Sequence, residues 1–243
     1  VDADPYGGSV AQVLGVLDEV SGVLAASRLA AAGTLDERFD SVARTLDARL
    51  AVVTGLPRPD RWTEVRPGTV ESLLDVARTR GHVVVDTGFG LAEDGLDLGR
   101  PGRDALTVEA LGAADEVLVV GTADPVGLSR LARGLVDLRE VMGPVPVRLV
   151  VNRMRSTLGW SEQDVASMVA GFGHPVSLHF LPDDRDAVDR ALVTGRSLTE
   201  SAPDSALVRA LTRVADAVAP TTGPPSTGRR WIRRRRGAAV HPR

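Results

Sequence analysis

His82-Val83-Val84-Val85-Asp86-Thr87-Gly88 is the stretch whose reading decides the fold. Three consecutive valines without polar alternation are the pattern of a strand covered by helices on both faces. The run stops at Asp86, and glycines follow at positions 88 and 90. Ligands of open α/β sheets bind outside the carboxyl ends of the strands, so a carboxylate at this point is placed to hold a metal ion or a water. Asp ahead of Gly is also a common turn pair, and Asp86 alone does not choose between the two roles.

Working outward, strand and helix signals alternate in both directions. Upstream, Val1 to Asp4 reads as a strand end and Pro5 to Gly8 as a loop. Ser9 then caps a helix with Val10, Val13, Leu14 and Leu17 on one face. A second helix spans Gly22 to Ala32, and a third carries Phe39, Val42, Ala43 and Leu46. Leu50 to Thr54 is a strand, and a helix with Val70, Leu73, Leu74 and Ala77 leads into the Asp86 strand. Downstream, Thr87 to Arg103 is a polar, glycine-rich connection, long enough to be a lid or a partner surface.

Beyond it come a helix over Ala105 to Ala113, a strand over Glu116 to Val120, a helix over Gly127 to Val141 and a strand over Val147 to Val151. A helix from Glu162 to Ala170, a strand from Pro175 to Leu181 and two further helices complete the body. Strand and helix in strict alternation predict an α/β fold: a mostly parallel sheet with helices on both faces.

Composition narrows the function. The 243 residues are 43% hydrophobic, within the range of globular chains, and contain no cysteine, which excludes disulfides and thiolate metal sites. Four scattered histidines, at 82, 174, 179 and 241, argue against zinc. No apolar run reaches the ~20 residues of a membrane-spanning helix and no signal peptide opens the chain, so a cytoplasmic location is expected. The chain begins at Val1, already at a strand end, and this reading expects an N-terminal piece to be lacking.

Lysine is absent, and all 29 basic residues are arginine. Residues before Ala219 hold 22 arginines against 32 acids; from Ala219 onward there are seven arginines and no acid. An acidic body at 1–218 and a disordered, Arg-rich tail at 219–243 are the expected units. Thr221 to Gly228 has linker composition, and Arg229 to Arg236 sets six arginines around Trp231 and Ile232. Such a cluster can be a solubilising tail, a contact for anionic lipid or, less in keeping with the acidic body, a contact for nucleic acid.

Polar residues recur where the apolar strands end: Asp2 and Asp4, Asp86, Thr122 and Asp124, Asn152, and Asp183. In a parallel sheet these ends share one rim. Several carboxylates and an amide there suit a magnesium-bound nucleotide, because bare carboxylates repel phosphate unless a cation intervenes. Each one alone is an ordinary turn residue; it is their succession that points to a site.

These motifs resemble the MinD/ParA group of P-loop ATPases with a deviant Walker A motif, over nearly all of residues 1 to 218. Val1-Asp2-Ala3-Asp4-Pro5 is similar to the group's second conserved strand, and Val84-Val85-Asp86 to its Walker B strand. Ala113 to Val120 is similar to the strand after it, and Leu149 to Arg153 to the strand that supplies an adenine-contacting asparagine. Val176 to Asp183, with Ala191 and Gly195 beyond it, resembles the closing segment. Asp4-Pro5-Tyr6-Gly7-Gly8-Ser9 and Leu56-Pro57-Arg58-Pro59 look most like the CpaE/TadZ-like branch, which includes actinobacterial septum-site-determining proteins.

The resemblance implies a P-loop-NTPase-like, Rossmann-like three-layer fold, N-terminally incomplete because the lysine-bearing glycine-rich loop is not in this chain. It also implies ATP and Mg²⁺ as cofactors of the intact protein, and an ATP-dependent homodimer. By the same resemblance Asp86 would bind Mg²⁺ through water, Asp4 would orient the attacking water and Asp2 would support the adjoining switch region. Asn152 and Arg153 would lie at the adenine, with the Pro182-Asp183 loop closing over the base. The implied function is spatial positioning of pilus, secretion or septum machinery, with protein partners there and a peripheral place at the inner face of the plasma membrane through Arg229–Arg236. A scaffold that keeps the fold without the chemistry is the alternative, and DNA partitioning a third.

Overall fold

The computed structural model describes residues 1–17, 20–92, 102–172 and 175–219. The expected tail at 219–243, past its first residue, and the middle of the connection from Thr87 to Arg103 lie outside the described residues.

Two parallel sheets form the framework. In the first, β1 (Asp2–Ala3) pairs with β4 (Asp86–Thr87). In the second, β5 (Val117–Thr122) pairs with β6 (Val147–Met154), and β6 with β7 (Ser177–Pro182). A short antiparallel hairpin joins β2 (Arg44–Thr45) to β3 (Ala51–Val52), and the Asp2 amide donates to the Val53 carbonyl at 3.0 Å, bringing the hairpin's end beside β1. The α/β architecture with parallel sheets flanked by helices is the one expected from the alternation.

Helices α2 (Gly22–Ala31) and α3 (Thr69–Arg78) pack over the first sheet, burying Val23, Leu73 and Ala77 with Phe39, Val42 and Val53. Beside them, α4 (Ala105–Ala113) adds Leu106 and Ala110 to Ala3, Val70 and Leu74. Its Glu109 caps α3 across the helix pair, accepting the Gly68 amide at 2.6 Å and the Val70 amide at 3.2 Å. Gly68 sits at φ 79° where the helix begins and has no side chain to do this itself.

Over the second sheet, α5 (Pro125–Met142) and α6 (Glu162–Ala170) bury Leu128, Leu131, Val165 and Val169 against Leu149 and Val151. On its other face, α9 (Ala206–Val218) covers Val150 and Leu181, with α7 (Arg185–Thr194) and α8 (Leu198–Ser201) at the edge of that cluster.

Three local expectations are corrected. Phe39 to Leu46 is not a helix: a single 3-10 turn, Phe39–Ser41, runs into β2, and Asp47 makes the hairpin turn by accepting the Arg49 and Leu50 amides. Its spacing is helical, but β3 offers this segment a ladder partner. The first helix, α1, is only Val10–Val13, because Gly15 turns the chain at φ 66° and packs its backbone on Gly195; Val13 and Leu17 are exposed rather than aligned in a core. Finally, the valine run is covered on one face only: Val83 and Val85 pack against the helices, whereas Val84 is 83% exposed. The same holds in β5, where Val119 joins the core and Leu118 and Val120 are exposed. No helix among the described residues is long and apolar enough to cross a membrane.

Candidate functional site

Because β1 and β4 are parallel and in register, with Asp2 opposite Asp86 and Ala3 opposite Thr87, the chain leaves both strands at the same end of the sheet. That end brings Asp2, Asp4 and Asp86 together. Asp2 is buried. One of its oxygens accepts the Asp4 amide and the other the Val10 amide, both at 3.2 Å, so its side chain shapes the turn and holds the start of α1. Gly8 and Gly55 are packed onto it so closely that a Cβ on either would lie 2.0 and 2.6 Å from its carboxyl atoms. Asp4 in turn accepts the Tyr6 amide at 2.8 Å.

Burial pushes the Asp2 carboxyl above its ordinary pKa, against the pull of its two amide donors. Asp86 is raised too, first by desolvation and then by the charge of Asp4. Its carboxyl meets solvent, but enough protein surrounds it for both effects to act. Two crowded carboxylates of this kind suit a hydrated divalent cation, which would offset their repulsion. Among the described residues no three His, Asp or Glu side chains converge as a ready-made metal cage, so a cation here would be held partly through water. The residues present fit Mg²⁺. They do not supply a phosphate cradle: lysine is absent, and the Val10 amide is taken by Asp2.

The remaining expected residues gather at the ends of β6 and β7. The β6–β7 ladder is irregular between Val151 and Met154, and Arg153 stands at φ 60°, the only non-glycine residue with positive φ among those described. The Asn152 side-chain oxygen accepts the Arg153 amide at 2.8 Å, which supports this turn of the backbone. Pro182 lies opposite Met154, the Asp183 amide donates to the Met154 carbonyl at 2.9 Å, and the Asp183 carboxylate takes Arg185 Nε at 3.3 Å. Irregularities of this type re-aim side chains at strand ends. No hydrogen bond or ion pair among the described residues joins this group to Asp2, Asp4 and Asp86.

Thr122 and Asp124 belong to a cap instead. Asp124 accepts the Gly127 amide at 2.9 Å and the Thr122 hydroxyl at 2.7 Å, and these bonds hold its pKa below the ordinary carboxylate value. Asp184 caps α7 through the Ala187 amide at 3.3 Å. Sequence reasoning missed Tyr6, Arg103 and Asp104, which surround the Asp4 turn. The available signal was that Tyr6 is the chain's one tyrosine and directly follows Asp4-Pro5.

The architecture of parallel strands flanked by helices is a fold shared with solved structures of ParA and MinD proteins. The chain superposes on a ParA family ATPase from Chlorobium tepidum TLS with a TM-score of 0.71 and 19% identity, over 88% of this chain and 83% of that one. It superposes on the MinD cell division protein of Aquifex aeolicus with a TM-score of 0.61 and 15% identity, over 92% and 84%. The MinC:MinD cell division protein complex of Aquifex aeolicus gives 0.59 and 16%, over 92% and 83%. No protein-family model and no curated protein sequence matches the chain.

Proposed function

We propose that this chain is the body of a nucleotide-dependent positioning ATPase of the MinD/ParA type, nearest the CpaE/TadZ-like branch. In this reading Asp86 holds Mg²⁺ through water, Asp4 orients the attacking water and Asp2 keeps the turn that carries Asp4. Asn152 and Arg153 take the adenine, and the Pro182-Asp183 loop closes on it. The protein acts as an ATP-dependent homodimer in the cytoplasm, placing pilus, secretion or division machinery, with Arg229–Arg236 in contact with the anionic inner face of the membrane.

The observation that carries the reading is the meeting of Asp4 and Asp86 at the carboxyl ends of two paired parallel strands, beside sheet edges unpaired among the described residues. Among the described residues β4 pairs only with β1 and β5 only with β6. Val84, Leu118 and Val120 are exposed there at 83, 37 and 61%. Exposed apolar residues beside β4 and in β5 call for cover. A strand and helix carrying the lysine-bearing glycine-rich loop, set against these edges, would provide both that cover and the phosphate cradle.

Mg²⁺-dependent ATP binding by the intact protein, and loss of ATP turnover in Asp86→Ala, are the expected results. Unchanged turnover in that variant would remove Asp86 from the mechanism. An intact protein with no Mg²⁺-dependent nucleotide binding would leave the non-catalytic scaffold as the function.

A further inference from the structure

The segments that follow β1 and β4 are tied together by a cluster that the chemistry above does not use. Tyr6 donates its hydroxyl to Asp104 Oδ1 at 2.6 Å, and Asp104 Oδ2 accepts the Ala92 amide at 2.9 Å. Asp104 is 3% exposed. Its carboxylate fills the space beside Gly90, where a Cβ would stand 2.3 Å from it. Arg103 lies over the Tyr6 ring, 4.2 Å from its centroid, and donates to the Pro5 carbonyl at 3.1 and 3.2 Å. Phe89 stacks on the same ring at 4.7 Å. At Gly88 a Cβ would meet Pro5 Cδ at 2.9 Å and Asp4 Oδ1 at 3.0 Å.

Three stretches of chain thus converge on Tyr6: the Asp4 turn, the Asp86–Ala92 segment and the start of α4. The energetic logic is specific. Asp4 and Asp86 carry like charge and repel, so the turn and the strand end tend to separate unless something holds them. A short hydrogen bond from a hydroxyl to a buried carboxylate is among the stronger neutral-to-charged bonds, and breaking it leaves that carboxylate short of a donor. A site whose carboxylates are held close before the cation arrives spends less binding energy on organising them.

Resting on the proposed Mg²⁺–nucleotide reading, we propose that Tyr6, anchored by Asp104 and Arg103, is a positioning residue that presets the spacing of Asp4 and Asp86 for a divalent cation. It touches neither cation nor nucleotide; it acts through the Asp4 turn.

The test is calorimetric titration of Mg²⁺ into the intact protein with ADP present, for wild type, Tyr6→Phe and Tyr6→Phe/Asp104→Asn. Tyr6→Phe keeps both ring contacts and removes only the hydroxyl. It is expected to weaken Mg²⁺ binding about tenfold, the low end for losing an outer-shell hydrogen bond. It also lowers the unfolding midpoint, because Asp104 stays buried with one donor fewer. The double variant removes that buried charge while keeping an acceptor for the Ala92 amide, so its midpoint recovers. Its Mg²⁺ affinity stays weak, because the tether to the Asp4 turn is still missing. Equal Mg²⁺ affinity in wild type and Tyr6→Phe overturns the positioning role alone, as does an affinity that recovers together with the midpoint in the double variant. Absence of Mg²⁺ binding by wild type, with or without ADP, overturns the site and the role of Tyr6 with it.

Discussion

The two sheets use aspartate at their strand ends in opposite ways. Around β5, β6 and β7, Asp124 and Asp184 each accept the amide of a helix that starts just after them, and the charged form of Asp124 is favoured. Around β1 and β4, Asp2 and Asp86 are crowded, partly desolvated and near one another, and their charged forms are disfavoured. A carboxylate that caps a helix is electrostatically content. A carboxylate pushed up by burial and a like-charged neighbour is relieved by a bound proton or a cation. The contrast is between solvated capping aspartates in the second sheet and a crowded pair in the first, where Asp2 also holds the turn and the start of α1.

The largest expected effect is on the crowded side. Gly8→Ala drives a methyl into the Asp2 carboxylate, which already stands 2.0 Å from the Cβ position. Its destabilisation in urea unfolding is expected at about 3 kcal/mol, the upper part of the overpacking range. Asp2→Ala comes next: it strands the Asp4 and Val10 amides and should cost about 2 kcal/mol in the same measurement. A cost near zero for either would mean that the turn does not depend on Asp2. On the capping side, Asp124→Ala should cost ~1 kcal/mol, the ordinary value of a lost N-cap.

The pH dependence separates the two sides further. Asp124 has a lowered folded pKa, so its contribution is present above the unfolded value and is lost as pH falls through the folded one. Asp2 has a raised folded pKa: between the ordinary and the raised value the folded state binds more protons, and stability falls as pH rises through that window, then levels off. Urea midpoints of Asp2→Asn and Asp124→Asn across the acid range should therefore depart from wild type with opposite slopes. Parallel curves would erase the distinction. The smallest effect is at Arg153, where Gly fits φ 60° better; Arg153→Gly should raise stability by no more than about 1 kcal/mol.

Much of this architecture was legible in the sequence. The helices at Ala105–Ala113 and Glu162–Ala170 lie where the alternation of helix and strand signals put them, and the strands near Val117, Val147 and Ser177 end close to their predicted polar residues. The hairpin at Arg44–Val52 was not legible, because Phe39, Val42, Ala43 and Leu46 satisfy a helical period equally well until Val52 and Ala51 pair with Arg44 and Thr45. Nor was it possible to tell the capping Asp124 from the crowded Asp86: both follow an apolar run, and what differs is the neighbour each meets after folding.

By itself the sequence determined the α/β alternation, the apolar faces and the supply of carboxylates at strand ends, because periodicity and turn chemistry act over a few residues. Only the tertiary structure decided which aspartates crowd, that one face of Val84 stays open, and that Tyr6 meets Asp104, 98 residues away. Those outcomes depend on which distant segments share one end of a sheet, and no local pattern encodes that proximity.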